Sequence, residues 1–171
     1  MPPQKRTEAR TKCSNCDRLM KAGRENYLYD ESGLRNVTLM GILIHRCAAC
    51  GNYEVSIPRI EQLHRIIAKS LIEKRTRFTG PEVRFLRKSL GLSSGDFARR
   101  MGVTVETVSR WEQNAVPVGP QADRLVRLLV AQGKLAMRYP EEHLALIDSK
   151  KAKETRMEIR VVDDQWSVVA A

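Results

Sequence analysis

A chain of 171 residues with 42% apolar content but only 5% aromatics fits one large or two small domains built on an aliphatic core. Its formal net charge of +10 predicts an anionic partner, nucleic acid before any other. The cations cluster, with Lys5, Arg6, Arg10 and Lys12 at the start and a second group from Arg59 through Lys88, which favours a binding surface over a charge kept only for solubility. No apolar run approaches membrane-spanning length and the opening MPPQKRTEARTK has no signal-peptide core, so a cytoplasmic protein without a membrane partner is expected.

The first element in chain order is a cysteine framework. Cys13, Cys16, Cys47 and Cys50 are the only cysteines and follow the spacing C-x2-C-x30-C-x2-C. In each pair two thiolates can face one cation from a tight turn, and two such turns complete a tetrahedral site that suits one structural Zn2+ per chain. Gly51 after the second pair suits a knuckle with positive φ, and Asp17 after the first adopts it less readily. Redox C-x-x-C motifs or disulfides are the rival reading, and they call for an oxidising compartment or a thioredoxin-like context. An iron–thiolate site is another. Four sulfur ligands leave no open position for hydrolysis, and His45, His64 and His143 lack ligand spacing. Lys12, Arg18 and Arg46 flank the ligands and are expected to offset a tetrathiolate's charge.

Between the pairs, Tyr27–Tyr29 and Val37–Arg46 read as strands, with turn chemistry at residues 30–33 and a bulge at Gly41. Tyr53, Val55 and Ile57 alternate until Pro58 ends the run. A module this small rarely folds on an apolar core alone, so metal is expected to supply most of its stability. Pro58 to Lys74 spaces Ile60, Leu63, Ile67 and Leu71 as one helical stripe, packing on its own domain or across a dimer. Arg75–Phe78 reads as a hinge.

Four short helices follow. Thr79-Gly80-Pro81-Glu82 carries a capping-box pattern and opens a helix through Leu90 with Val83, Leu86 and Leu90 inward. Ser93-Ser94-Gly95-Asp96 opens the next, with Phe97, Ala98 and Met101 inward, and Gly102 is the turn glycine. Thr104 caps a third helix to Gln113, buried through Val108 and Trp111. The fourth starts at Pro120, carries Leu125, Leu128 and Leu129, and stops at Gly133. This pattern in a basic chain describes a helix-turn-helix whose third helix enters the major groove. Thr104, Val105, Glu106 and Arg110 are the expected base contacts, with Arg110 able to bridge guanine O6 and N7. Ser94, Gln113 and Asn114 lie at helix ends and are the expected phosphate contacts. Glu112 is expected to pair with Arg87.

The cysteine module followed by a helix-turn-helix containing Val108-Ser109-Arg110-Trp111-Glu112 resembles the MqsA family of type II antitoxins. Residues of about 10 to 135 carry the resemblance, to a YgiT-type zinc finger and then an Xre-type domain. It implies a homodimer that represses its own operon by binding a palindromic operator on double-stranded DNA, and a zinc domain that binds a small RNase toxin. The family reads bases with an Asn and an Arg four residues apart; Arg110 matches that Arg, but Glu106 stands at the Asn position. A stand-alone transcriptional regulator of the same architecture is the alternative. Beyond the resemblance, residues 140–153 read as a helix and Met157 to Val168 as a β-hairpin, packing on the body, pairing across a dimer or binding a toxin. No nucleophile–base constellation or phosphate-cradling glycine loop is present, so no enzymatic activity is expected. The expected fold is α+β: a β-rich four-cysteine zinc module (11–57), a linker helix and hinge (58–78), an all-α helix-turn-helix domain of four to five helices (79–135), and a C-terminal helix and hairpin-like extension (140–171).

Overall fold

The computed structural model describes residues 11–135, 139, 143 and 147–170. Strand β1 (Lys21–Leu28) pairs antiparallel with β2 (Val37–Arg46) across a short turn at Asp30–Ser32 that Gly33 closes with φ 81. Gly41 provides the expected bulge, at φ 63, where Glu25 faces Ile42 but Tyr27 faces Leu39. The extra residue moves the alternation by one. Val37 and Leu39 before it, and Ile42 and Ile44 after it, therefore all point into the core, each no more than 1% exposed.

The same bulge divides the other edge of β2. Strand β3 (Tyr53–Ser56) pairs antiparallel with Leu43–Arg46 beyond Gly41. Before it, Val37–Met40 pairs in parallel with a strand from the far end of the chain, described below. Helix α1 (Ile60–Glu73) turns Leu63, Ile67, Ala68, Leu71 and Ile72 inward. Its stripe begins one turn later than the spacing suggested, since Ile60 is 46% exposed. The helix also starts after Pro58, because Arg59 takes φ 45 and the Pro58 carbonyl accepts the Trp166 indole N–H at 2.7 Å.

The segment expected to act as a hinge is fastened instead. Strand β4 (Thr76–Arg77) leads into Phe78, which is buried, and then into α2 (Gly80–Ser89), α3 (Ser94–Met101), α4 (Val105–Glu112) and α5 (Pro120–Val130). Hydrophobic periodicity points Leu125, Leu128 and Leu129 of α5 inward. The buried face is Asp123, Val126, Arg127 and Val130, while Leu125 is exposed, and the helix passes into a wider turn at Ala131–Leu135 that includes Gly133. Arg127 and Asp123 have 0% side-chain exposure and pair at 2.6 Å. The rest of the Arg127 guanidinium donates to the carbonyls of Ile72 and Lys74, both at 2.7 Å, and of Thr76 at 2.9 Å. Its Cζ lies 4.4 Å from the Phe78 ring centroid, and the second Asp123 oxygen accepts the Phe78 N–H at 2.7 Å. Four of the five guanidinium N–H groups therefore meet an acceptor and each nitrogen has at least one, the condition under which such a charge is tolerated.

A second buried pair lies beside the first. Lys74 Nζ meets Glu82 at 2.5 Å, and the same Glu82 oxygen accepts the Thr79 N–H at 2.7 Å, the carboxylate half of the expected capping box. Burial pushes the Glu82 carboxyl up and the Lys74 ammonium down, against the attraction each has for the other.

The helix expected over 140–153 does not reach its last residues, which form a strand. Residues 140–142 and 144–146 lie outside the described residues, and β5 (Asp148–Ala152) is a strand running parallel to β4. Just past it, the Lys153 carbonyl accepts from Lys74 Nζ and Thr76 Oγ1, both at 3.0 Å, which holds this stretch extended along the joint. β6 (Met157–Val162) and β7 (Gln165–Ala170) form the expected hairpin around Asp163-Asp164, both at positive φ as a two-residue primed turn requires. β6 is the parallel neighbour of β2, so the sheet runs β1-β2-β6-β7 with β3 also on β2.

The result is a mixed α+β fold with five α-helices among the described residues. One hydrophobic cluster reaches from Val37 and Ile44 of β2, through Leu63, Ile67 and Leu71 of α1, to Trp111 and Val126 of the helices. A separate small cluster of Cys13, Met20 and Cys47 sits at the knuckles. The β-rich module therefore shares its core with the helices and does not rest on the four-cysteine cluster alone.

Arg127→Ala should lower stability by about 3–5 kcal/mol in urea denaturation, the range for one partner of a buried pair. The double variant Asp123→Leu/Arg127→Met should not recover that loss, because the carbonyls of Lys74 and Thr76 lose the Arg127 donor in it as well.

Candidate nucleic-acid interface and metal centre

Both knuckles are built the same way. The Cys13 carbonyl accepts the Asp17 N–H at 2.9 Å, and the Cys47 carbonyl accepts the Gly51 N–H at 3.0 Å. The Cys13 and Cys47 N–H groups then donate to the Arg18 and Asn52 carbonyls, at 2.9 and 2.8 Å. Asp17 and Gly51 sit at φ 57 and 74, the left-handed position expected after each pair.

This geometry brings the four sulfurs within 4.8 Å of one another, with Cys13–Cys50 at 3.6 Å and Cys16–Cys47 at 3.5 Å. Metal–sulfur bonds of ~2.3 Å place tetrahedral sulfurs ~3.8 Å apart, so the cluster could hold a metal ion with little adjustment. Backbone amides prepare three of the thiols. Asn15 lowers Cys13, Cys50 lowers Cys47, and Asn52 lowers Cys50. At Cys16 the Arg18 backbone acts downward, but the Cys47 and Cys50 sulfurs outweigh it and push the thiol up to about 12. Of the flanking cations, Arg46 turns away to pair with Glu25 at 2.7 Å and lies over the Tyr53 ring. His64 is likewise engaged elsewhere, with Tyr29 at 2.9 Å.

The helical site is built on caps. Ser93 Oγ accepts the Asp96 N–H at 3.0 Å to start α3, Gly102 ends it at φ 66, and Thr104 Oγ1 accepts the Thr107 N–H at 3.2 Å to start α4. Val108 and Trp111 bury one side of α4. The opposite side exposes Val105, Glu106, Ser109, Arg110 and Gln113. The backbone N–H of Glu106 and the Thr104 hydroxyl hold the Glu106 carboxyl below its ordinary range, so it is ionised at neutral pH.

The expected contact residues divide by their local bonds. Val105, Glu106 and Arg110 share the exposed face, while Thr104 is exposed but occupied as a cap. Gln113 reaches back to Ser109 at 3.3 Å. Asn114, at φ 56, uses its side-chain oxygen to accept the Gly80 N–H at 2.6 Å, and Ser94 is half-buried in the first turn of α3. Ser109 was not among the expected contacts, although its position three residues after Glu106 and four before Gln113 puts it on the same stripe.

Two contacts fix α4 against α2. Arg87 holds Glu112 at 2.5 Å, as expected, and also donates to the Leu92 carbonyl at 2.8 Å. At Gly80 the two backbones come so close that a Cβ would lie 2.7 Å from the Glu112 carbonyl oxygen. Only glycine fits there, a requirement that the capping pattern around it does not reveal.

The helix-turn-helix family (HTH_3) matches residues 83–131, which span α2 through α5. Proteins described as "Uncharacterized HTH-type transcriptional regulator YiaG" in Escherichia coli K12, O6:H1 and O157:H7 are each 35% identical over 86 residues, covering 48% of this chain and 90% of theirs. The chain belongs to the HTH-type transcriptional regulators. No solved structure matches this regulator. No helix among its described residues is long and apolar enough to cross a membrane.

Cys47→Ser should lower the melting temperature of the regulator, each ~1 kcal/mol lost reading as about 2–4 °C in a chain of this size. A strong chelator should have the same effect on the unaltered protein and none on the variant, with far-ultraviolet circular dichroism at room temperature nearly unchanged in both. Gly80→Ala should cost about 1–3 kcal/mol by overpacking, measured by chemical denaturation.

Proposed function

We propose that this regulator is a sequence-specific DNA-binding repressor that acts as a homodimer on a palindromic operator. The observation that carries the reading is the exposed row Val105, Glu106, Ser109, Arg110 and Gln113 on a capped, rigidly held α4. Such a helix presents base-reading groups to the major groove, with Arg110 to guanine, Val105 to a thymine methyl and Glu106 to cytosine N4. Thr104, Ser94, Gln113 and Asn114 lie at the edges of that surface; Thr104 joins the base contacts, and the other three approach phosphates. The net charge of +10 supplies the long-range attraction. The four thiolates hold one structural Zn2+, whose closed coordination suits the all-sulfur donor set. A colourless preparation with one zinc per chain agrees with this, and a red, redox-active one points to iron.

Two roles fit this machinery. In the first, the protein is the antitoxin and autoregulator of a toxin–antitoxin pair in the cytoplasm, its zinc module binding a small RNase toxin, as the resemblance to the MqsA family implies. In the second, it is a stand-alone regulator. The second is favoured by one structural observation: the zinc module is built into the sheet and core that carry the helices, which suits a scaffold. Co-purification with a small neighbouring-gene product, and rescue of growth from that product, supports the first role; no such partner leaves the second.

Arg110→Ala should reduce operator affinity by about 1–3 kcal/mol and relax preference at one base pair per half-site in a shift assay. Unchanged base preference would remove Arg110 from readout. Log affinity should fall linearly with log salt for both proteins, because phosphate neutralisation releases counterions.

A further inference from the structure

Helix α1, the segment 153–157 and β7 enclose a groove of about 1020 Å³ on the side of the joint. That volume is at the upper end of the ~300–1,000 Å³ typical of small-molecule sites. Its floor is apolar. Leu71 and Met157 are each 2% exposed, Ile66 is half-buried, and Val168 is 43% exposed although it lies on the same face of β7 as buried Trp166. The inner face of the hairpin is thus left uncovered at this end.

The wall carries charge, and most of it is already used. Lys74 pairs with Glu82 at 2.5 Å, Lys69 with Glu73 at 3.7 Å, and Arg156 with Glu158 at 3.1 Å. The Arg75 guanidinium and the Lys153 ammonium have no partner among the described residues. Their backbones are held together, since the Lys153 carbonyl accepts from both residues that flank Arg75, Lys74 through Nζ and Thr76 through Oγ1, each at 3.0 Å. Two cations without a partner among the described residues therefore stand at neighbouring backbone positions above an apolar floor.

We propose that this groove binds an organic anion with an apolar tail, its carboxylate or phosphate held by Arg75 and Lys153 and its tail laid over Ile66, Leu71, Met157 and Val168. Glu154, the remaining acid on the wall, limits the site to ligands of low charge, because a second negative group would meet it. The site is independent of the proposed operator face, and neither reading requires the other.

Isothermal titration of the full chain without DNA tests it, with decanoate and decyl phosphate as probes, and 1-decanol and acetate as the neutral and tailless controls. Either anion should bind saturably at one per chain, and both controls should bind at least about tenfold more weakly, as expected when a charged hydrogen-bond partner or the buried tail is removed. Arg75→Gln/Lys153→Gln should weaken the anion by about tenfold or more while the melting temperature holds, because neither side chain has a partner among the described residues to lose. Val168→Asp, placing a like charge in the floor, should also abolish anion binding. Equal binding of decanol and decanoate, an unchanged affinity in the double variant, or no saturable binding of either anion would overturn the proposal.

Discussion

The Arg127 guanidinium is the contact on which the arrangement of this protein depends. It sits in α5, the last helix of the matched family region, yet three of its hydrogen bonds go to carbonyls of the last turn of α1 and of the segment that joins it to α2. The Lys74 and Thr76 carbonyls receive it beyond the regular bonding of α1, and the Ile72 carbonyl shares it with the Tyr139 hydroxyl at 2.6 Å. A buried acceptor without a donor costs about 1–3 kcal/mol, and a buried cation without acceptors costs more. Each side of the contact therefore requires the other. Asp123 balances the charge and fixes Phe78 through its backbone N–H, so the joint is held by charge, hydrogen bonds and an aromatic face together.

A joint held this firmly changes what the cysteine module is. Fewer than about fifty residues with two knuckles suggest a unit that folds only around its metal. In the structure its strand β2 is the centre of a sheet whose parallel neighbour comes from the end of the chain, and its core side chains pack with α1. The contribution of a bound ion is then local: it would order the knuckles and the small cluster around Cys13, Met20 and Cys47. Gly41 makes the shared sheet possible, because the one-residue bulge keeps Val37, Leu39, Ile42 and Ile44 on one face while two different strands take the two halves of one edge.

Features that depend on neighbouring residues were legible in the sequence. The cysteine spacing, Gly51, the Gly41 bulge, the helix caps at Ser93 and Thr104, the Arg87–Glu112 pair and the terminal hairpin all follow from local geometry or short helix spacing. The features that the sequence hides depend on distant partners. Periodicity turns Leu125, Leu128 and Leu129 inward because nothing near Arg127 in the chain announces that its acceptors are carbonyls fifty or so residues earlier. Arg75–Phe78 reads as a hinge for the same reason, and residues 148–152 read as helical because the strand they pair with is only two residues long. On α4 the exposed face was largely visible, but nothing beside Asn114 in the chain points to its bond with Gly80.

The exposed face of α4 is also electrostatically close to neutral, and this bears on how it would work. Glu106 is held ionised, and Arg110 stands one turn after it on the same stripe. A face carrying one charge of each sign draws DNA weakly, so attraction must come from cations elsewhere, such as exposed Arg99 and Arg100 at the end of α3. Near phosphates Glu106 is unfavourable unless a base donor meets it, which penalises every register in which none does. The helix would then contribute discrimination and its surroundings affinity. That division needs a helix fixed in place, since a carboxylate free to swing away from the wrong base would reject nothing. Gly80 and Arg87 of α2 supply that fixation through Asn114 and Glu112, and Arg127 ties α5 to the segment that leads into α2.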